Sequence, residues 1–354
     1  MQYVIEFIGA LALLIVVHEL GHFLACRLFK VPVEEFGIGL PPKALTIFRA
    51  GGTEFTLNWI PLGGFVRPRG ESDPQLADGL AAAKPGVRIG VALAGPLANI
   101  LMVAFLYTVL IGLIGEPDPA RLDEVQVQAV LPGSPAQMAG LQEGDFLLAL
   151  NGQEIRSVEE ARAIIYANLD QPVLVRYQRG ESVAEVSLTP LSSRPPEQGA
   201  TGVQLGTPMR SVSLVKAVWG GVEATYLHSV FLVKMVGRLI TGQAVGPGGV
   251  VGPIGMGRMY VGMREASPSQ GLIPILDVLA FLINVSLSLA FFNFLPIPAL
   301  DGGRIVLALP ELIFRRRLQT RVENWLITFT FLVLLGFLIF ISLRDIFFPI
   351  EILP

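Results

Sequence analysis

Four segments of this chain run for about 20 residues with apolar side chains at nearly every position. They show neither the strict alternation of a half-buried strand nor the single stripe of a surface helix. They cover residues 7–26, 89–115, 278–300 and 324–343. At 1.5 Å of rise per residue, each is long enough to cross the roughly 30 Å hydrocarbon layer of a bilayer. Four transmembrane helices are predicted. The composition agrees, with 16% charged residues in 354, against about 25% in soluble domains.

The segments between them carry other periods. Residues 45–49 and 53–59 read as strands around Gly51-Gly52, which predicts a β-hairpin over about 45–60. From 125 to 190 the chain alternates in VQVQAVL and PVLVRYQ, takes a helical period in VEEARAIIYANL and turns at Asn151-Gly152. An inserted α+β domain over 121–195 follows from this pattern. Residues 211–263 are apolar but broken by Lys216, Glu223, Lys234 and Arg238, then by Gly246-Pro247-Gly248-Gly249 and Gly252-Pro253. An amphipathic, interfacial segment with an irregular turn, over 196–270, suits them better than a fifth span. The N-terminal membrane part is then 1–120 and the C-terminal one 271–354.

Charge sets the orientation. The loop from Arg27 to Arg88 holds eight Lys and Arg, the loop from Asp301 to Glu323 holds five, and the two tails together hold only Arg344. The positive-inside rule places both short loops in the cytosol, and the long insert and both termini outside. Twelve basic residues in the insert do not oppose this, because long loops cross largely regardless of charge. The net charge of −3 gives no basic surface for nucleic acid. One cysteine, Cys26, excludes an internal disulfide. Residues 1–26 lack the basic start of a signal peptide and are read as a retained span.

The first span contains His18-Glu19-Leu20-Gly21-His22. Histidines four apart on a helix project from one face and can grip one zinc ion, and Glu19 between them is placed to take a proton from a water that the ion activates. An acidic residue deep in a bilayer costs about 2.5–3.5 kcal/mol on insertion scales, so mere packing is the weaker explanation. A catalytic zinc needs a third protein ligand. His228 falls on the other side of the membrane, and Cys26 is eight residues from His18, about 12 Å along the axis. Asp301, closing the third apolar stretch on the same leaflet as the histidines, is the better candidate; an ordinary acidic residue beyond a helix end is its alternative.

With these motifs the chain closely resembles the site-2 protease family of intramembrane zinc metalloproteases, and within it the bacterial regulator-of-sigma-E proteases. His18 to His22 reproduces the first family motif. Asn293-Phe294-Leu295-Pro296-Ile297-Pro298-Ala299-Leu300-Asp301-Gly302 matches the N-x-x-P-x-P-x-L-D-G motif. Ala94 to Asn99, Gly252 to Gly255 and Gly63-Gly64-Phe65-Val66 are similar to further family elements. The resemblance implies a polytopic α-helical membrane protein that cuts peptide bonds within transmembrane segments of single-pass proteins, such as anti-sigma factors or remnant signal peptides, in the bacterial inner membrane. It implies His18, His22 and Asp301 as ligands of Zn2+, Glu19 as the catalytic acid/base, and a membrane-associated hairpin on the cytosolic side. The insert, with Pro132 to Ala136, Ala139 to Asp145 and Leu150 to Gly152, is similar to a single PDZ domain, either peptide-binding or a steric gate.

A hairpin strand beside the zinc is suited to pair with an unwound substrate, with Thr53, Phe55 and Leu57 as its contact residues. Asn293 and Asn99 are candidates for holding substrate backbone, since an amide offers both donor and acceptor; bonding between helices is the rival role for each. Two other functions remain open at this point. One is a catalytically silent membrane adaptor that holds partners through the PDZ module, the other a zinc hydrolase of lipids or diffusible peptides.

Overall fold

The computed structural model describes residues 1–71, 73–193, 199–241, 251–267 and 272–348. The chain runs through α1 (Gln2–Leu28), β1 (Val33–Ala50), β2 (Thr53–Pro68) and α2 (Pro85–Ile114). A strand-rich stretch follows: β3 (Glu116–Pro117), β4 (Val125–Val130), α3 (Pro135–Met138), β5 (Phe146–Leu150), β6 (Gln153–Glu154), α4 (Val158–Ala167), β7 (Val173–Arg179), β8 (Ser182–Leu188), β9 (Val203–Gly206) and β10 (Met209–Arg210). Helices complete it: α5 (Leu214–Ile240), α6 (Pro253–Ala266), α7 (Ile273–Phe294), α8 (Asp301–Phe314) and α9 (Thr320–Phe347). Two compact units result, one from Met1–Thr108, Gly220–Arg264 and Asp277–Glu351, the other chiefly from Val109–Trp219.

In the first unit α1, α2, α7 and α9 are, among the described residues, the four helices long and apolar enough to cross a membrane. The third differs from its predicted span of 278–300. It begins earlier and stops at Phe294, so Asp301 does not end that span but opens α8. Pro296 and Pro298 explain the stop, since each lacks a backbone N–H and disfavours helix in the residue before it. Pro96, by contrast, leaves α2 continuous. α1 and α2 approach closely at Gly21, where a Cβ would lie 2.3 Å from the Ala94 carbonyl oxygen.

The hairpin spans 33–68, well beyond the predicted 45–60, and each strand folds on itself. Gly37 pairs with Thr56 on one side and Phe65 on the other, while Phe55 pairs with both Phe36 and Phe48. Residues 54–57 are thus paired on both sides, whereas residues 64–68 pair on one side only and form an edge. The turn at Gly51-Gly52 has positive φ at both residues (56° and 82°), the backbone that such a tight connection needs. A small core of Ala25, Cys26, Val31, Val33, Leu80 and Val91 packs where the hairpin meets α1 and α2.

The second unit is α+β. Its antiparallel sheet runs β8-β7-β5-β4-β9, with β6 beside β5, so the sheet extends past residue 195 through β9. Alternation works as expected: Val173, Val175 and Tyr177 of β7 are buried and the residues between them exposed. Ser157 caps α4 by accepting the Glu160 N–H at 3.2 Å. The core gathers Val125, Val127, Leu147, Leu150, Ala161, Ile165 and Leu188. Of the interfacial segment, α5 and α6 are helical, while the predicted turn at 246–249 lies outside the described residues.

Candidate metal centre

His18 and His22 lie one turn apart on α1 and turn their Nε2 atoms toward each other at 3.2 Å. Asp301 Oδ2 stands 3.1 Å from His18 Nε2 and 3.3 Å from His22 Nε2. Tetrahedral donors about 2.0–2.1 Å from zinc are spaced roughly 3.3 Å from one another, so this near-equilateral triangle fits one zinc ion. Three protein donors are also the number that leaves a catalytic zinc one further position. His18 and Asp301 are 7% and 9% exposed, and three polar side chains that converge on one point at the wall of a cavity fit a shared cation better than packing.

Asp301 reaches the histidines because two glycines follow it. A Cβ at Gly302 would lie 2.3 Å from the Phe294 carbonyl oxygen, and one at Gly303 2.0 Å from that of Ile297. The first turn of α8 therefore packs against the segment after α7 with no room for side chains. On α2, Gly95 plays the matching part, since a Cβ there would meet His22 Nε2 at 2.3 Å and His18 Cε1 at 2.8 Å. His22 Nδ1 is 2.7 Å from the Val91 carbonyl oxygen. That contact makes Nδ1 the donor and leaves Nε2 bare for an ion.

Glu19 Oε2 accepts the backbone N–H of Val66 at 3.0 Å, which ties the carboxylate to the edge strand of the hairpin. Both border a cavity of about 700 Å³ that also takes in His18, His22, Asn293 and Asp301. Arg88, Glu323, Arg304 and Glu71 also line it, held in ion pairs. Arg88 meets Glu311 at 2.9 Å and Glu323 at 2.8 Å, and Arg304 meets Glu71.

The remaining predicted residues fall in different places. Asn293 borders the cavity and donates to the Leu289 carbonyl at 2.9 Å. Asn99 is fully buried behind His18. Thr53 is buried and donates to the Val33 carbonyl at 2.8 Å, Phe55 stacks on Phe48 with ring centroids 4.4 Å apart, and Leu57 is 40% exposed. The hairpin residues on the cavity are instead Phe65, Val66, Arg67 and Pro68. His228 pairs with the Tyr107 hydroxyl at 2.9 Å, and neither it nor the buried Cys26 joins the metal-binding group. Sequence reasoning missed Val91, and placed Gly95 and Val66 in family-like elements without giving either a part in the site. The spacing of 91, 95 and 99, one helical turn each, was the available signal for α2.

Residues 6–337 match peptidase family M50. Among curated proteins, one named "Putative zinc metalloprotease" in Clostridium perfringens is 32% identical over 99% of this chain and 100% of its own length. A protein of the same description in Campylobacter jejuni is 30% identical over 97% and 94%. "Probable protease eep" of Enterococcus faecalis is 25% identical over 96% and 98%. A solved PDZ domain from Listeria monocytogenes aligns with 23% of this chain and 87% of its own at 22% identity, with a TM-score of 0.21, too low to bear on the fold. With nearly the whole chain matched by the family and relatives of 30% identity or more named as zinc metalloproteases, the chain belongs to peptidase family M50, the site-2 protease family of membrane zinc metalloproteases.

Proposed function

We propose that this protein cuts peptide bonds within transmembrane segments of single-pass membrane proteins, with anti-sigma-type factors already trimmed outside the membrane, or remnant signal peptides, as its substrate class. One observation carries the reading: the edge strand at 64–68 borders the same cavity as the three donors and Glu19. A helix in lipid hides its peptide bonds in internal hydrogen bonds, so a cleavable segment must be unwound and its freed backbone groups met by the enzyme. A one-sided strand beside the metal-binding group meets them by strand addition. A lipid ester has no use for such an edge, and a diffusible peptide, already extended, has no need of a site among membrane-spanning helices. The adaptor alternative is set aside, because the donor set and Glu19 are complete.

Zinc, when bound, polarises the scissile carbonyl and lowers the pKa of water to roughly 7. Glu19 takes a proton from the attacking water, whose oxygen bonds to the carbonyl carbon, and delivers it to the leaving amine nitrogen as the C–N bond breaks. The Val66 N–H holds Oε2 in place beside the strand that aligns the substrate. Asn293, on the cavity wall, offers its amide to the substrate backbone.

The basic loops 27–88 and 301–323 support a cytosolic position for this centre in a bacterial inner membrane, with the α+β unit outside. That unit is read as a PDZ domain that binds peptide or bars bulky ectodomains. The test is cleavage of a single transmembrane segment by purified protein in vesicles, with zinc content measured alongside. Wild type cleaves; Glu19→Gln keeps zinc and is inactive; Asp301→Ala loses zinc. Cleavage by Glu19→Gln at the normal rate, or hydrolysis of lipid esters in preference to the helix, refutes the proposal.

A further inference from the structure

Val91, Gly95 and Asn99 follow one another at single-turn intervals along the side of α2 that meets the two imidazoles. Val91 sets the tautomer of His22 through its carbonyl, and Gly95 leaves room for both rings. Asn99 stands in the corresponding position to His18. Its amide nitrogen is 3.3 Å from His18 Nδ1, the residue is 0% exposed, and its side-chain oxygen is buried with no hydrogen-bond partner.

These facts conflict with a packing role. If His18 Nε2 is committed to an ion, Nδ1 carries the proton, and a ring N–H facing an amide NH2 places donor against donor. Rotating the amide by half a turn puts Oδ1 at the ring and gives that oxygen the partner it lacks; amide orientation follows from such a network. The backbone is already anchored for this, because the Ser286 hydroxyl of α7 donates to the Asn99 carbonyl at 3.2 Å.

We propose that Asn99 is a positioning residue of the metal centre: its side-chain oxygen accepts the Nδ1–H of His18, holding the tautomer that leaves Nε2 bare for the ion. The inference rests on the metalloprotease reading of that centre and assigns Asn99 to the ligand sphere instead of to substrate. Partners of this kind typically change metal affinity by about 10–100-fold when removed.

The test uses full-length protein in detergent and reads the zinc dissociation constant by competition with a chromophoric chelator. Asn99→Ala should bind zinc about 10–100-fold more weakly while melting like wild type in excess chelator. Asn99→Asp keeps an acceptor oxygen and should stay near the wild-type affinity. Ser286→Ala loosens the helix contact without touching the amide, and should also bind normally. Wild-type affinity in Asn99→Ala, or an equal loss in Ser286→Ala, overturns the proposal. Should Asn99→Ala not fold, the 15N resonance of His18 Nδ1 in zinc-loaded wild type decides: a protonated nitrogen supports the proposal and a bare one overturns it. Wild type that holds no zinc at all would instead defeat the metal reading beneath it.

Discussion

Gly95 lies directly against the imidazole of His22, so that a Cβ added there would fall 2.3 Å from Nε2. In an exposed helix Gly→Ala gains about 1 kcal/mol of helical propensity. Here the sign should reverse for function: Gly95→Ala is expected to push the ligand atoms apart, weaken zinc binding and lower cleavage by about 10²-fold, the scale of a misplacement near 1 Å. Metal titration and turnover measured together check this, and unchanged zinc affinity would show that α2 can move aside.

The edge strand gives a second test. Proline is tolerated at sheet edges, so Val66→Pro should fold while deleting the N–H that holds Glu19 Oε2. Cleavage should fall by about 10–10²-fold, less than the 10²–10⁴-fold typical for loss of a general base itself, with zinc content unchanged. Val66→Ala keeps the N–H and should cut close to the wild-type rate. Equal loss in both variants would place the effect in the side chain.

Gly303 tests how Asp301 is delivered. An alanine there would bring Cβ to 2.0 Å from the Ile297 carbonyl oxygen, a backbone atom that cannot swing away. Gly303→Ala should lift the first turn of α8 and reduce zinc occupancy as Asp301→Ala does, although position 303 is not itself a ligand. Full occupancy in Gly303→Ala would mean that the segment after α7 is free to shift.

Arg88 joins α2 to the start of α9 and to α8 through Glu323 and Glu311, and all three are largely shielded from water. Arg88→Ala leaves the two carboxylates, among the described residues, with Arg317 as their remaining ion-pair partner, at 4.0 and 3.8 Å. Destabilisation of about 1–3 kcal/mol is expected, seen as a lower melting temperature in detergent with zinc content unchanged. Adding Glu311→Gln and Glu323→Gln should recover much of it, because what destabilises is the unpaired charge and not the missing side chain.

Much of this protein was legible in the chain itself. Four apolar runs fix four helices long enough for a bilayer, because span length depends only on rise per residue. The i, i+4 spacing puts His18 and His22 on one face for the same local reason. Asp301 was reached by reasoning about leaflets and by its place in the N-x-x-P-x-P-x-L-D-G motif, whereas its true setting, the first turn of α8 and not the end of a span, follows from two prolines and two glycines acting on one short segment. What tertiary structure alone decided is which surfaces meet. The doubled register of β1 and β2 put the free edge at residues 64–68 instead of the expected contact residues 53–57, and there Val66 meets Glu19. The rotation of α2 against α1 brought Val91, Gly95 and Asn99 under the imidazoles. Helical periodicity and strand alternation are set by neighbours along the chain. The facing of one element toward another is set by contacts between residues as far apart as 18 and 301, which no local pattern encodes.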